Sequence, residues 1–311
     1  MEMNGELRRR LLQDETDYGR VRDFLREIFV LHGRHELAWH VARLDYWRWH
    51  FVENLQSSPP PSDVLHLWES AEGRIAAVLH PFGTNEAFPA IHPAVRTAQL
   101  EHEMIGLAEE RFTVPDAGGR RRMYIMTDAA DTLRADVLRD RGYEARNRPI
   151  HRWWRDLAGP LPPSIRIEGF TIRPLRHGEE PARSWASWRA FHPDEPDDGY
   201  DGWEWYRNIQ AAPLYREDLD IVAVAPNGEV ASFCTAWYDD ITRAAVLVLV
   251  GTAAEYQRRG LGQAVITDAL RRLRRAGATR AFANAYDPPA EALYGSILGS
   301  KKISESWVKH W

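Results

Sequence analysis

The stretch Gln257-Arg258-Arg259-Gly260-Leu261-Gly262 decides how this chain is read. It lies between an apolar run, Ala244 to Val250, and a helical pattern from Leu261 to Ala276. Strand, short glycine-bearing loop, helix start: that order builds an anion site. The first N–H groups of a helix have no intrahelical partner and carry the positive end of the helix dipole. Gly260 and Gly262 lack side chains, so a phosphate can come close to the backbone. Arg258 and Arg259 stand beside it. The alternative is an ordinary strand-to-helix turn with a solvated arginine pair.

Two other phosphate loops do not fit. A Walker A loop has four residues between its glycines and then Lys-Ser/Thr. Here one residue separates the glycines and no lysine follows. A dinucleotide fingerprint has Gly-x-Gly-x-x-Gly/Ala. Gly260-Leu261-Gly262-Gln263-Ala264-Val265 has valine at the last position.

The wider run, Val250-Gly251-Thr252 through Gly262, resembles the acetyl-CoA-binding core of the GNAT N-acetyltransferase superfamily. Its signature is Gln/Arg-x-x-Gly-x-Gly/Ala at a helix start, directly after a central strand ending in Val-Gly-Thr. Ala292-Leu293-Tyr294 matches the Leu-Tyr of the family's next helix. The resemblance covers about 165 to 311. It implies acetyl-CoA as acyl-donor substrate, held by Val250, Gly251, Thr252, Gln257, Arg258, Arg259, Gly260, Leu261, Gly262 and Gln263. Asn284 and Asp287 belong to the same implied site, because relatives often carry Asn about seven residues before the tyrosine. Asp287 stands at that position here. No metal is implied.

Composition sets limits. A chain of 311 residues has the length of two domains. An apolar content of 44% supports globular cores, and a net charge of −5 gives no general affinity for nucleic acid. Cys234 is the only cysteine, which excludes an intrachain disulfide and a cysteine zinc cluster. No run approaches the ~18 apolar residues of a membrane span. Met1-Glu2-Met3-Asn4-Gly5-Glu6 has no signal-peptide pattern, so a cytoplasmic protein is expected.

The same order of elements occurs twice. Positions 157–165, with three prolines and a glycine, read as a linker. Before it comes a strand, Leu7 to Gln13, then a helix from about Thr16 to Leu31. After it, Gly169 to Leu175 and Glu179 to Phe191 repeat that pair. Trp-rich helical segments follow, Leu44 to Asn54 and Gly202 to Gln210. Each half then has a hairpin: Val64–Glu69 with Arg74–Phe82, and Leu219–Ala225 with Glu229–Tyr238. Asn227-Gly228 is a strong hairpin signal. Gly142 and Trp154 in the first half have the spacing of Gly299 and Trp311 in the second. This is internal duplication. It resembles tandem GNAT proteins, which include mycothiol synthases.

The expected fold is therefore α/β (α+β), two tandem GNAT-like domains, each with a mixed, mostly antiparallel sheet flanked by helices. The expected domains are 1–156, degenerate, and 166–311, acetyl-CoA-binding. Degeneracy is read from Phe88-Pro89-Ala90-Ile91-His92-Pro93-Ala94-Val95-Arg96, which leads into a helix from Thr97 to Phe112 without the glycine loop. Pro93 removes an N–H donor, and no glycine permits close approach.

The resemblance implies acyl transfer to an amine. A backbone N–H near Val250 polarises the thioester carbonyl. Tyr294 matches the tyrosine that protonates the leaving thiolate, a role for which a phenol is suited. The base is open. Relatives often carry strand glutamates where Val246 and Val248 stand here, leaving Asp239, Asp240, His192 and Glu204. The acidic stretch Asp194-Glu195-Pro196-Asp197-Asp198 borders the expected acceptor side and attracts a cationic amine. The expected acceptor is a small-molecule amine, with no nucleic acid and no membrane as partner, in a monomer or homodimer. Two alternatives stand: a non-catalytic acyl-CoA-binding or regulatory module, and a protein N-terminal or lysine acetyltransferase.

Overall fold

A computed structural model describes residues 6–36 and 39–311. Met1 to Gly5, read above for a targeting signal, lie outside them. The elements in chain order are β1 (Arg8–Leu11), α1 (Glu15–Leu31), α2 (Val41–Tyr46), α3 (Pro61–Val64), β2 (His66–Glu69), β3 (Ile75–Pro81) and β4 (Glu86–Ile91). Then come α4 (Ala98–Arg111), β5 (Arg122–Asp128), α5 (Thr132–Asp140), β6 (Glu144–Ala145) and β7 (Ile150–Asp156). The second half has β8 (Thr171–Pro174), α6 (Glu180–Phe191), α7 (Trp205–Ala211), β9 (Asp220–Val224), β10 (Val230–Asp239) and β11 (Ala244–Thr252). It closes with α8 (Leu261–Arg275), β12 (Arg280–Ala285), α9 (Pro288–Ile297) and β13 (Ser300–His310). The Trp-rich segment after α2 is a π-helix, Trp47–Val52, rather than a continued α-helix.

The chain divides into two compact units. One runs to Ile150 and takes back Lys302–Trp311; the other is His151–Lys301. The cut differs from the expected 1–156 and 166–311. Most of β7, coded in the first half, belongs to the second unit, and β13, coded at the end, belongs almost wholly to the first. The physical reason is edge completion. A strand is stabilised by whichever edge offers its backbone groups a partner. β13 pairs along β5 from Ser304↔Asp128 to His310↔Arg122, whereas β7 pairs along β12 from Arg280↔Asp156 to Ala285↔His151. The segment 157–165 is irregular but anchored: Leu157 is buried and donates to Thr279 O, and Pro162 O accepts from Arg271.

Each unit has the same topology. The first has the order β1-β2-β3-β4-β5-β13, with β6 on β13; the second has β8-β9-β10-β11-β12-β7. All neighbours within each are antiparallel except one parallel pair, β4–β5 and β11–β12 respectively. Mixed α/β units with mostly antiparallel sheets flanked by helices are thus what the duplicated pattern forms.

Periodicity explains the packing. α1 starts at Asp14, whose side chain accepts from Asp17 N–H, and buries Tyr18, Val21, Leu25 and Ile28 at helical spacing. α8 buries Leu261, Val265, Ile266, Ala269, Leu270 and Leu273 against the second sheet while Arg274 is exposed. Burial of a leucine or isoleucine contributes about 1.5–3 kcal/mol. The hairpin β9–β10 turns at Pro226-Asn227-Gly228, where Gly228 has φ of +88°, a conformation glycine adopts without steric cost.

Candidate functional site

Two departures from regular pairing create the site. Along β10, Cys234 pairs with Val250 but the next residue, Thr235, pairs with Val248. Leu249 is the extra residue of a β-bulge, with φ of +63°. On its other edge β11 pairs with β12 only over Ala244–Val246 and Arg280–Phe282, although it runs on to Thr252. Beyond Val246 the two parallel strands part. Val248 to Thr252 are correspondingly half-buried, whereas Ala244 to Leu247 are buried.

α8 begins at the end of this opening. Its N-cap is Gly260, left-handed at φ of +82°, with no side chain capping the first turn. Arg258 before it has φ of +63°. The first α8 amides therefore end in an uncapped turn carrying about half a positive charge. Arg258 and Arg259 are exposed; the Arg259 guanidinium lies 5.5 Å over the Tyr256 ring and donates to Glu255 O. Gln257 braces the loop by donating to Thr252 O at 3.3 Å. Leu261 is buried and anchors the helix start.

Close approach requires glycine at position 251, while at Gly262 a Cβ would make only ordinary contacts. A Cβ on Gly251 would be 2.5 Å from Phe233 Cζ and 3.0 Å from Ala190 Cβ. A Cβ on Gly262 would be 3.4 Å from a Leu293 methyl and 3.6 Å from Thr252 Oγ1. That contact joins α8, α9 and the end of β11. Thr252 Oγ1 shares a 2.9 Å hydrogen bond with Ser232 Oγ, and Gln263 donates to Ser296 Oγ at 3.0 Å.

Around this cluster the assignments divide. Tyr294 on α9 is 7% exposed and shares a core with Val250 and Leu293. Asn284 near the end of β12 donates to Tyr286 OH at 3.2 Å. Asp287 is the N-cap of α9, accepting from Ala290 N–H at 2.8 Å. Of the acid–base candidates, Asp239 is buried and holds the turn through Thr242 N–H and Oγ1. Glu204 accepts from Trp203 N–H, and Asp240 is exposed in the β10–β11 turn. His192 is the C-cap residue of α6, its ring stacked on Trp188 and its Nδ1 2.8 Å from Glu195 Oε1.

A buried network went unread in the sequence. Arg183 on α6 is fully buried, with its guanidinium 3.5 Å over the Phe233 ring and donating to Thr235 Oγ1. Fully buried Asp220 accepts from Tyr206, Tyr215 and Thr235. Burial pushes both tyrosines above the usual phenol range, which keeps them as hydrogen-bond donors. The only signal was an arginine amid an apolar helical face. Burial also pushes the Cys234 thiol up, which leaves it inert.

The first unit is closed at the corresponding place. β4 pairs with β5 only at Glu86 and Ala87 and then parts from it. Arg134 of α5 fills the opening: it donates to Pro89 O at 3.0 Å and to both carboxylate oxygens of Glu101. Arg96 joins the cluster through Glu101 and Asp131. Thr97 caps α4 by accepting from Leu100 N–H. Among the described residues no three His, Cys, Asp or Glu side chains are placed to hold a metal ion.

Comparison with known proteins bears on this geometry. Residues 181–299 match the acetyltransferase (GNAT) family. No curated protein sequence matches. Solved structures share the fold over the whole chain at low identity. A GCN5-related N-acetyltransferase from Sphaerobacter thermophilus is 16% identical, with 98% of this chain and 95% of that one covered and a TM-score of 0.64. A tandem GNAT protein from the clavulanic acid biosynthesis pathway is 15% identical, with 98% of each chain covered and a TM-score of 0.61. Saccharomyces cerevisiae N-myristoyltransferase, solved with bound myristoyl-CoA, is 11% identical, with 99% and 80% covered and a TM-score of 0.60. The chain has the tandem GNAT fold, and its 181–299 segment is a GNAT acetyltransferase domain.

Proposed function

We propose that this GNAT domain transfers an acetyl group from acetyl-CoA to the amine of a small molecule, and that the second unit alone binds the donor. The observation that carries the reading is the uncapped α8 N-terminus, directly after a strand that has parted from its parallel neighbour. The amides at Leu261 to Gln263 suit the donor's pyrophosphate. Gly260 and Gly262 leave room for it, and the unpaired edge of β11 suits the amide-bearing arm. No helix among the described residues is long and apolar enough to cross a membrane.

The residues have distinct roles in this reading. A backbone N–H near Val250, turned by the bulge at Leu249, polarises the thioester carbonyl. Tyr294 gives the leaving sulfur its proton. Gln257, Thr252 and Ser232 keep the strand end and the loop in register. A non-catalytic acyl-CoA-binding module is the second reading, favoured by Val246 and Val248 at positions where relatives carry carboxylates.

Calorimetry with acetyl-CoA tests the first reading. One donor per chain is expected, with affinity at least tenfold weaker in Gly260→Asp, which adds a side chain at a left-handed position and a negative charge at the helix start. No binding at millimolar donor sinks both readings. Binding without CoA release across a panel of primary amines leaves the second.

A further inference from the structure

We propose that the first unit holds a site for the cationic head of a small organic ammonium ion, formed by the Glu86 carboxylate beside the rings of Phe82 and Phe88. The site is independent of the acetyl-transfer reading above.

Register places the three side chains together. β3 and β4 are antiparallel, with His80 opposite Phe88 and Pro81 opposite Ala87. The ladder continues one step further, where Phe82 N–H donates to Glu86 O at 2.9 Å. Residues directly opposite each other, and residues two apart on one strand, point to the same face of a sheet. His80, Phe82, Glu86 and Phe88 therefore share one face. The rings agree with this placement. His80 and Phe88 are 5.7 Å apart with planes at 8°, and Phe82 and Phe88 are 5.9 Å apart at 89°. Glu86 stands opposite Phe82 and two residues from Phe88. On its other side, β5 sets Tyr124 opposite it.

The aromatic wall is braced from behind. The Trp39 ring packs on His80, Phe82 and Phe88 at 4.0, 5.2 and 4.8 Å, and Phe51 lies 4.5 Å from Phe82. Trp39 and His80 are buried, whereas Phe82, Phe88, Tyr124 and Glu86 are half-buried. The carboxylate and the two phenyl rings thus meet solvent while a packed core holds them.

Among the described residues no hydrogen bond or ion pair reaches the Glu86 carboxylate. A charge withdrawn from water without a partner is costly. Burial accordingly pushes this carboxyl up to about 7, opposed by the charge of Arg146. Arg146 is engaged elsewhere, its guanidinium 5.0 Å over the Tyr124 ring, which Arg122 also approaches at 6.0 Å. An ammonium ion supplies the missing counter-charge, and its carbon groups lie against phenyl faces that attract cations. A bare metal ion is a poorer match, because it needs several oxygen ligands and this face offers one carboxylate.

Calorimetry on the full chain at about pH 8 tests the site, with tetramethylammonium and its uncharged counterpart tert-butanol as probes. Tetramethylammonium has no N–H and cannot be acetylated, so the result does not depend on acetyl transfer. Saturable millimolar binding is expected, at least tenfold tighter than for tert-butanol. Glu86→Gln is isosteric and removes an unpartnered charge, so it should fold with an unchanged or higher thermal midpoint and bind at least tenfold more weakly. Phe82→Leu should weaken binding about threefold, the scale of one exposed cation–π contact. Arg146→Gln should tighten it about threefold by removing a screened like charge. Absence of saturable binding, equal affinity for tert-butanol, or unchanged affinity in Glu86→Gln would overturn the proposal. Binding of inorganic phosphate instead, lost in Arg146→Gln, would assign an anion site and overturn it as well.

Discussion

The ring of Phe233 on β10 fills the space that a side chain at Gly251 on β11 would need, with Cζ 2.5 Å from the absent Cβ. Phe233 is itself fully buried, and Arg183 lies over its face at 3.5 Å. The ring cannot swing away without disturbing the buried Arg183–Asp220 network. Gly251 therefore allows β11 to press against α6 at the point where the strand opens.

Gly251→Val should destabilise the protein by about 1–3 kcal/mol, the range for overpacking a filled core. Phe233→Leu in the same chain should recover part of this, because it removes the obstructing ring atoms. Denaturant midpoints of the four members of the cycle check it. Additive effects of the two substitutions would show that the ring is not what Gly251 avoids.

The buried carboxylate of Glu101 gives a second prediction. It is fully buried and held by Arg134 and Arg96. Arg134→Met leaves Arg96 as its remaining cation and strips Pro89 O of a donor. The loss should be about 3 kcal/mol, at the low end for breaking a buried ion pair. Adding Glu101→Leu should return much of it, since two apolar residues need no compensation. Thermal unfolding of the single and double variants checks the order of stabilities.

His80 sets a pH dependence in the first unit. It is fully buried against Trp39 at 4.0 Å, its Nε2 has no partner, and burial pulls it down to about 4. A histidine at about 6.5 when unfolded and about 4 when folded binds fewer protons in the native state between those values. Its contribution is fully present above pH 6.5 and is lost as pH falls toward 4. Glu86, pushed up to about 7 by burial, acts in the opposite sense, losing stability as pH rises from about 4.5 to 7. His80→Phe should therefore flatten the acid loss, and the difference from wild type should grow as pH falls from 6.5 to 4. Urea unfolding at several pH values measures that difference; a constant offset would contradict the assignment.

Much of the fold was legible because its signals are local. The apolar stripe of α8 predicts a helix from 261, and it runs Leu261–Arg275. Asn227-Gly228 predicts a hairpin, and β9 and β10 form it. The loop at 257–262 assembles with Thr252 because strand, turn and helix are consecutive. Asp287 stands before Pro288, and its capping of α9 depends on the tertiary placement of that helix start. The bulge at Leu249 and the parting of β11 from β12 leave no pattern in an unbroken apolar run.

By itself, the sequence determined two copies of one fold and a single glycine loop, since periodicity, turn chemistry and helix starts are set by neighbouring residues. Only the tertiary structure decided which strand completes which sheet. β13 and β7 are similar amphipathic strands, and pairing along β5 or β12 depends on the edge available when the chain is compact, not on either strand's own residues. The tertiary structure also decided that Arg134 closes the first opening while the corresponding one beside Gly251 stays open. That outcome turns on a side chain from a distant helix reaching one carbonyl, Pro89 O, a contact that no local pattern encodes.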